Sequence, residues 1–384
     1  KGGLASNTDA GEGGAVHVFG GDAAGTGDGG RVWLEGGSTV DGVGGDIQVH
    51  GGSSASHTGG DIRLVSGVSE CTSSGSMKLA TANSGSAGVS GEMSISTGTT
   101  TEGASGSILL TTGESTCGAA GDISVVVGTG DTGDGSDVSV VAGGSTAVAA
   151  AGGSVSISAG PGLSEALGDG GDGGDVAISG GRAYGRGIYD DGGSVLVAGG
   201  TARAGTGGAM TLTSGWSSDR SSGPVAMRTP NAGESGVSGD ISVSTGTSTA
   251  GATGGVAIRT GTAWNGAGGD ISLAVGSGNT GDGGDVQVFG GDTTAVGQQG
   301  GTVFLKAGDG KSPHSQDGGD GGKLVLRGGD GFGTATTDDG GAIEVTGGLT
   351  YGGRGGNIEL LSGTGLAQSS GHVNIATANA GVKR

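Results

Sequence analysis

An apolar residue, any residue and a second apolar residue recur along this chain in one short frame. That frame limits the fold more than any other feature of the sequence. The clearest copy begins at Gly269 and reads Gly-Asp-Ile-Ser-Leu-Ala-Val-Gly-Ser-Gly-Asn-Thr-Gly-Asp-Gly. With the first apolar residue of each unit taken as its anchor, the anchors are Val16, Val32, Ile47, Ile62, Met77, Met93, Ile108, Ile123, Val138, Val155, Val176, Val195, Met210, Val225, Ile241, Val256, Ile271, Val286, Val303, Leu324, Ile343, Ile358 and Val373. These make 23 units, most often 15 residues apart. The second apolar residue follows two positions on in every unit, and alternation of that kind predicts one short half-buried strand per unit. A glycine precedes the anchor by two positions in every unit except one, where Ser136 stands. Another glycine follows the anchor by five, except at Ala82, Pro230 and Ala378.

A longer repeat overlies the short one. Ala82-Asn83, Pro230-Asn231 and Ala378-Asn379 are 148 residues apart, as are Val138 and Val286, Val155 and Val303, and Val176 and Leu324. Nine units make one such super-repeat. Its copies run over 47–194 and 195–342, with partial copies at 1–46 and 343–384, in one continuous array spanning 1–384. Within each full copy the anchor spacing grows to 17, 21 and 19 residues, from Val138 to Val195 and again from Val286 to Ile343. Long loops at adjacent units would form bumps, which are either places for a partner or a lateral neighbour or simply tolerated insertions.

These periods predict an all-β fold, a single elongated β-solenoid (a β-helix) with about one turn per 15-residue repeat and a nine-turn super-repeat. Fifteen residues at about 3.3 Å each give a perimeter of ~50 Å, enough for one narrow lap. Stacked laps would pair their backbone groups and turn the aliphatic pairs inward. An antiparallel meander is the alternative, but it needs neighbouring units to face differently, and the units look alike. Glycine makes up 102 of 384 residues, which without a Gly-X-Y period excludes collagen. The phase of the anchors argues against a disordered linker.

A formal charge of −20 with 17 Lys and Arg disfavours nucleic acid and anionic membrane as partners. No apolar run is long enough for a transmembrane helix, so membrane insertion is not expected. No signal peptide or initiator Met is present, and the chain from Lys1 to Lys383-Arg384 reads as a mature or partial piece of a longer precursor. Cys71 and Cys117 occupy the same column three units apart. At ~4.8 Å per rung that separates them by roughly 14 Å, too far for a disulfide, whose Cα atoms lie within about 7 Å, so they are free or intermolecular.

No catalytic constellation stands out, and the chain is not expected to be an enzyme. Gly128-Thr-Gly-Asp-Thr-Gly and Gly276-Ser-Gly-Asn-Thr-Gly match a dinucleotide fingerprint, but a strand pattern rather than a helix follows each. The His residues are scattered, without zinc spacing. Asp131, Asp134 and Asp137 step by three, as do Asp169, Asp172 and Asp175, and Asp282 and Asp285 echo them. Stacked turns could gather such carboxylates, so calcium is the one cofactor the pattern allows, against solvated corners as the plainer reading. Tyr184, Trp264, Phe332 and Tyr351 all lie eight past their anchors, where outward rings would stack on glycans or on a neighbouring filament and inward rings would plug a wide corner. Thr97 and Thr99, Thr245 and Thr247, and Thr260 and Thr262 form Thr-x-Thr pairs of the kind ice-binding surfaces use, in at most two consecutive units.

The Gly-Asp-Ile-Ser-Val-Ser-Thr-Gly-Thr units, the Val237-Ser-Gly-Asp-Ile and Ala82-Asn83 signatures and the nine-unit super-repeat resemble large glycine-rich secreted repeat proteins of stramenopile algae. The resemblance implies an extracellular structural role. Gly-Gly-Asp-Val-x-Val units also look like bacterial filamentous adhesins, which lack so long a super-repeat. The expectation is therefore a secreted, acidic, non-catalytic protein that forms or coats a filament, sheath or appendage shaft. Its partners would be copies of itself or other filament subunits, and glycans. The alternative is a surface binding module: adhesin-like, calcium-binding or ice-binding.

Overall fold

An apolar–any–apolar triplet fixes which sides of an extended chain its residues face, but it does not supply a lateral partner. In the computed structural model, which describes residues 13–166, 168–314 and 316–378, the first of these happens and the second does not. Side chains at alternate positions meet on the side opposite the anchor. The rings of His17 and Phe19 stack at 5.6 Å, Trp33 Nε1 donates to Glu35 at 2.9 Å, and His50 Nε2 lies 3.3 Å from Gln48 Oε1.

The β-solenoid expected from the repeat is not what the chain forms. Among the described residues there is no strand and no helix. Among the described residues no backbone hydrogen bond involves an anchor or the residue two beyond it, so these segments are not rungs of a coil. Nor do the aliphatic pairs point into an axis: no hydrophobic side chain among the described residues is buried, and Ile271 exposes 55% and Leu273 78% of their surface. The accessible area is 38256 Å², where a compact chain of 35.4 kDa would expose about 13,000 Å². Two aliphatic side chains per unit offer too little apolar surface to hold fifteen ordered residues. Lys1, Asn379 and Lys383-Arg384 lie outside the described residues, as do Leu167 and Ser315 of the long loops.

What the chain builds instead is a series of closed loops. The N–H of the glycine before an anchor donates to the carbonyl of the glycine that closes the preceding unit. The Gly45 N–H reaches the Gly37 oxygen at 2.8 Å, and Gly60 to Gly52 and Gly208 to Gly200 repeat it at the same distance. The chain divides into two units, Lys1–Leu196 and Val197–Arg384. In the first, the bonded pairs are Gly30 to Gly21, Gly45 to Gly37, Gly60 to Gly52, Gly75 to Gly67, Gly153 to Gly143, Gly174 to Gly160 and Gly193 to Gly181. In the second they are Gly208 to Gly200, Gly223 to Gly215, Gly301 to Gly291, Gly322 to Gly308, Gly341 to Gly329, Gly356 to Gly348 and Gly371 to Gly363. Every one joins the two glycine columns visible in the sequence.

Whether a junction closes follows the size of one side chain, the residue four past the anchor, here called the spacer. Among the described residues every closed junction has a small spacer: Gly (20, 36, 51, 180, 199, 290, 328 and 347), Ala (142, 159 and 307) or Ser (66, 214 and 362). The junctions after Thr81, Thr97, Thr112, Val127, Thr229, Thr245, Thr260 and Val275 lack the bond. The cause is steric, because the spacer side chain stands between the two backbone stretches. A Cβ placed on the pre-anchor glycine would lie 2.6–3.0 Å from the closing glycine's nitrogen where the spacer is Gly. That distance grows to 3.3–4.0 Å where the spacer is Ala or Ser. Where it is Thr, no backbone atom comes within 4 Å and the nearest contact is the Thr side chain itself, at 3.5 Å from Gly106 to Thr97. The one pre-anchor position without glycine, Ser136, falls at such an open junction, after Val127.

Thr97→Gly should close its junction. The Gly106 N–H then gains the Gly98 carbonyl and exchanges about fivefold more slowly, the effect of one net hydrogen bond of ~1 kcal/mol. Gly36→Thr should free the Gly45 N–H by the same factor. Amide exchange by NMR reads both, and equal rates for Gly45 and Gly106 in the unaltered chain would break the spacer rule.

Candidate functional site: the long loops

Three adjacent loops in each unit of the chain are longer than the rest. They run Gly143–Gly153, Gly160–Gly174 and Gly181–Gly193 in one, and Gly291–Gly301, Gly308–Gly322 and Gly329–Gly341 in the other. Small spacers (Ala142, Ala159 and Gly180 in one set, Gly290, Ala307 and Gly328 in the other) close all six on the same glycine pair, so their extra length projects beyond an unchanged base.

Short side chains shape these loops by capping backbone donors, as turn-forming hydroxyls and carboxylates do. Ser145 Oγ accepts from the Ala147 N–H at 3.2 Å, and Thr293 Oγ1 accepts from Ala295 at the same distance. One step further, Ala149 takes a left-handed conformation with φ 61°, and its counterpart is Gly297 at φ 73°. Glycine suits that backbone and alanine is strained there. In the third loop an Asp oxygen accepts from the N–H three residues earlier. Asp190 Oδ2 does so from Gly187 at 2.5 Å and Asp338 Oδ2 from Ala335 at 2.6 Å. In the middle loop, Gly171 donates to the Ser164 carbonyl at 3.1 Å and Gly319 to that of Ser312 at 3.3 Å. Each pair is related by 148 residues, so the two loop sets share their internal bonding. Two ion pairs belong to the second set alone: Lys306 to Asp309 and Arg327 to Asp330, each 2.8 Å. Both are exposed and contribute little to stability.

Of the aromatic residues singled out in the sequence, Tyr184 and Phe332 occupy equivalent places on the Asp-capped loops and are almost fully exposed, at 85% and 90%. Trp264 and Tyr351 are exposed on short loops, and nothing pairs them in the same way. The Asp residues proposed for calcium are all exposed. Asp131 and Asp134, with Asp282, sit on loops at open junctions, while Asp137 and Asp285 stand just before anchors. Asp169 and Asp172 lie in the Gly160–Gly174 loop, and Asp175 just past it. Among the described residues no three His, Cys, Asp or Glu side chains converge on a common point that could hold a metal ion. Cys71 and Cys117 are free and exposed. Three of the threonines read as Thr-x-Thr pairs, Thr97, Thr245 and Thr260, are spacers, and their methyl groups lie where a Cβ on Gly106, Gly254 or Gly269 would meet them.

The spacer column is the position that the period-2 reading passed over. Eleven of the twelve described residues with intermediate exposure are spacers, from Gly20 to Ser362, and the other is Ser69. The sequence does carry a signal for it, since only Gly, Ala, Ser, Thr and Val occur in that column.

Asp338→Ala should strip the Ala335 N–H of its acceptor and raise cleavage of the Gly329–Gly341 loop by a nonspecific protease severalfold. The Gly181–Gly193 loop should be unaffected, and limited proteolysis with mass mapping separates the two. No family model, curated protein or solved structure matches the chain.

Proposed function

We propose that this chain is a non-catalytic structural protein of the extracellular space that forms or coats a filament, sheath or appendage shaft. Its long loops serve as periodic points of lateral attachment. One observation carries the reading: three loops of unequal length, closed on the same glycine pair, return in the same order 148 residues later with the same internal caps. Recurrence of identical attachment geometry is what an assembly of many subunits uses. A charge of −20 keeps such a surface hydrated. Sedimentation velocity and electron microscopy of the purified full chain test the proposal. Concentration-dependent growth into polymers is expected, and a chain that stays monomeric at every concentration would overturn it.

A second reading, a surface module that binds glycans, draws on Tyr184 and Phe332. Exposed rings held on capped loops offer flat apolar faces to sugars. Replacing both with Ala should abolish retention on polysaccharide columns while leaving assembly unchanged. Unchanged retention would dismiss this second role.

A further inference from the structure

The open junctions fall into two runs, one in each unit of the chain: the four units anchored at Met77 to Ile123, and the four anchored at Val225 to Ile271. In the second run each extended segment carries a single charged side chain, and the signs alternate: Arg228, Asp240, Arg259, Asp270. All four are exposed. Among the described residues none of them takes part in an ion pair or a side-chain hydrogen bond, since the ion pairs formed are Lys306–Asp309 and Arg327–Asp330. Among the described residues the same run leaves backbone groups without partners: the N–H of Gly239, Gly254 and Gly269, and the carbonyls of Pro230, Gly246 and Gly261. Its anchors and the apolar residues two beyond them are more than half exposed, from Val225 at 54% to Leu273 at 78%.

We infer that residues 225–275 are a homotypic docking surface, on which a second copy of this chain pairs its own 225–275 run in antiparallel order. The argument rests on charge order. Reversing the run brings Arg228 to Asp270 and Asp240 to Arg259. The first pair is centred on Thr249 and the second on the Thr249–Ala250 bond, so one two-fold axis passing there brings all four contacts to within a residue of register. Parallel pairing in register would set like charges against each other, which is destabilising. Extended segments lying side by side also give partners to the free N–H and carbonyl groups, and they cover the aliphatic rows. The β-branched spacers Thr229, Thr245, Thr260 and Val275 hold the junctions open, which leaves those backbone groups available, and they favour extended pairing in their own right. The first run lacks this self-complementarity. Its segments carry Lys78, Glu92 and Asp122, with no charge on the Ile108 segment, so on reversal Glu92 meets an uncharged unit.

This surface rests on the proposed self-assembly, and the test separates the two. Sedimentation equilibrium is run on the full chain in three forms: unaltered, R228E/R259E, and R228E/R259E/D240R/D270R. The double variant turns four attractive contacts into repulsive ones and should weaken association tenfold or more. The quadruple variant inverts every sign, remains self-complementary on reversal, and should associate like the unaltered chain. If the double variant associates as tightly as the unaltered chain, or the quadruple variant as weakly as the double, this surface is wrong while self-assembly stands. An unaltered chain that never associates removes both.

Discussion

A hydrogen bond between two glycines, with one side chain wedged beside it, is the contact on which the organisation of this chain depends. It needs glycine on the donor side because the spacer of the preceding unit, or the backbone itself, fills the space a Cβ would take. It needs a small spacer because each added heavy atom pushes the two backbone stretches apart. With Gly, Ala or Ser the bond forms, and with Thr or Val it does not. A difference of one or two heavy atoms therefore decides a local structure that elsewhere takes a whole helix or strand pairing to specify.

The same contact explains why so glycine-rich a chain has order without a core. Each bond joins residues close in sequence, so closure loses little chain entropy and needs no distant partner. A solvated hydrogen bond contributes only about 1 kcal/mol. The order is consequently local and repeated, and it carries no cooperative network of buried side chains. The aliphatic pairs stay half in water.

Much of the local structure was legible in the residues. The glycine columns, the alternation that brings His17 onto Phe19, and the loop lengths shared by Val138–Val195 and Val286–Ile343 all come from spacing alone. What the spacing could not supply was the identity of the hydrogen-bond partner. Alternating apolar residues such as Ile271 and Leu273 look the same in a strand paired on both edges and in a segment paired on neither. The solenoid expectation assumed the former. Among the candidate site residues, Tyr184 and Phe332 stood out by position. Their support from Asp190 and Asp338 depends on a loop conformation that no short motif announces. The Asp triplets failed to converge for a related reason: their gathering presupposed stacked laps, and in their absence each carboxylate faces solvent.

The loop base is indifferent to what it encloses. Gly37 and Gly45 hold a stretch of seven residues, while Gly160 and Gly174 hold thirteen, through bonds of 2.8 and 2.9 Å. Sequence between such a pair can therefore drift, lengthen or be exchanged without disturbing its neighbours. Each glycine pair acts as a socket. Diversification of this protein, in nature or by grafting foreign peptides, would be confined to the sockets' contents while the framework between them stays unchanged.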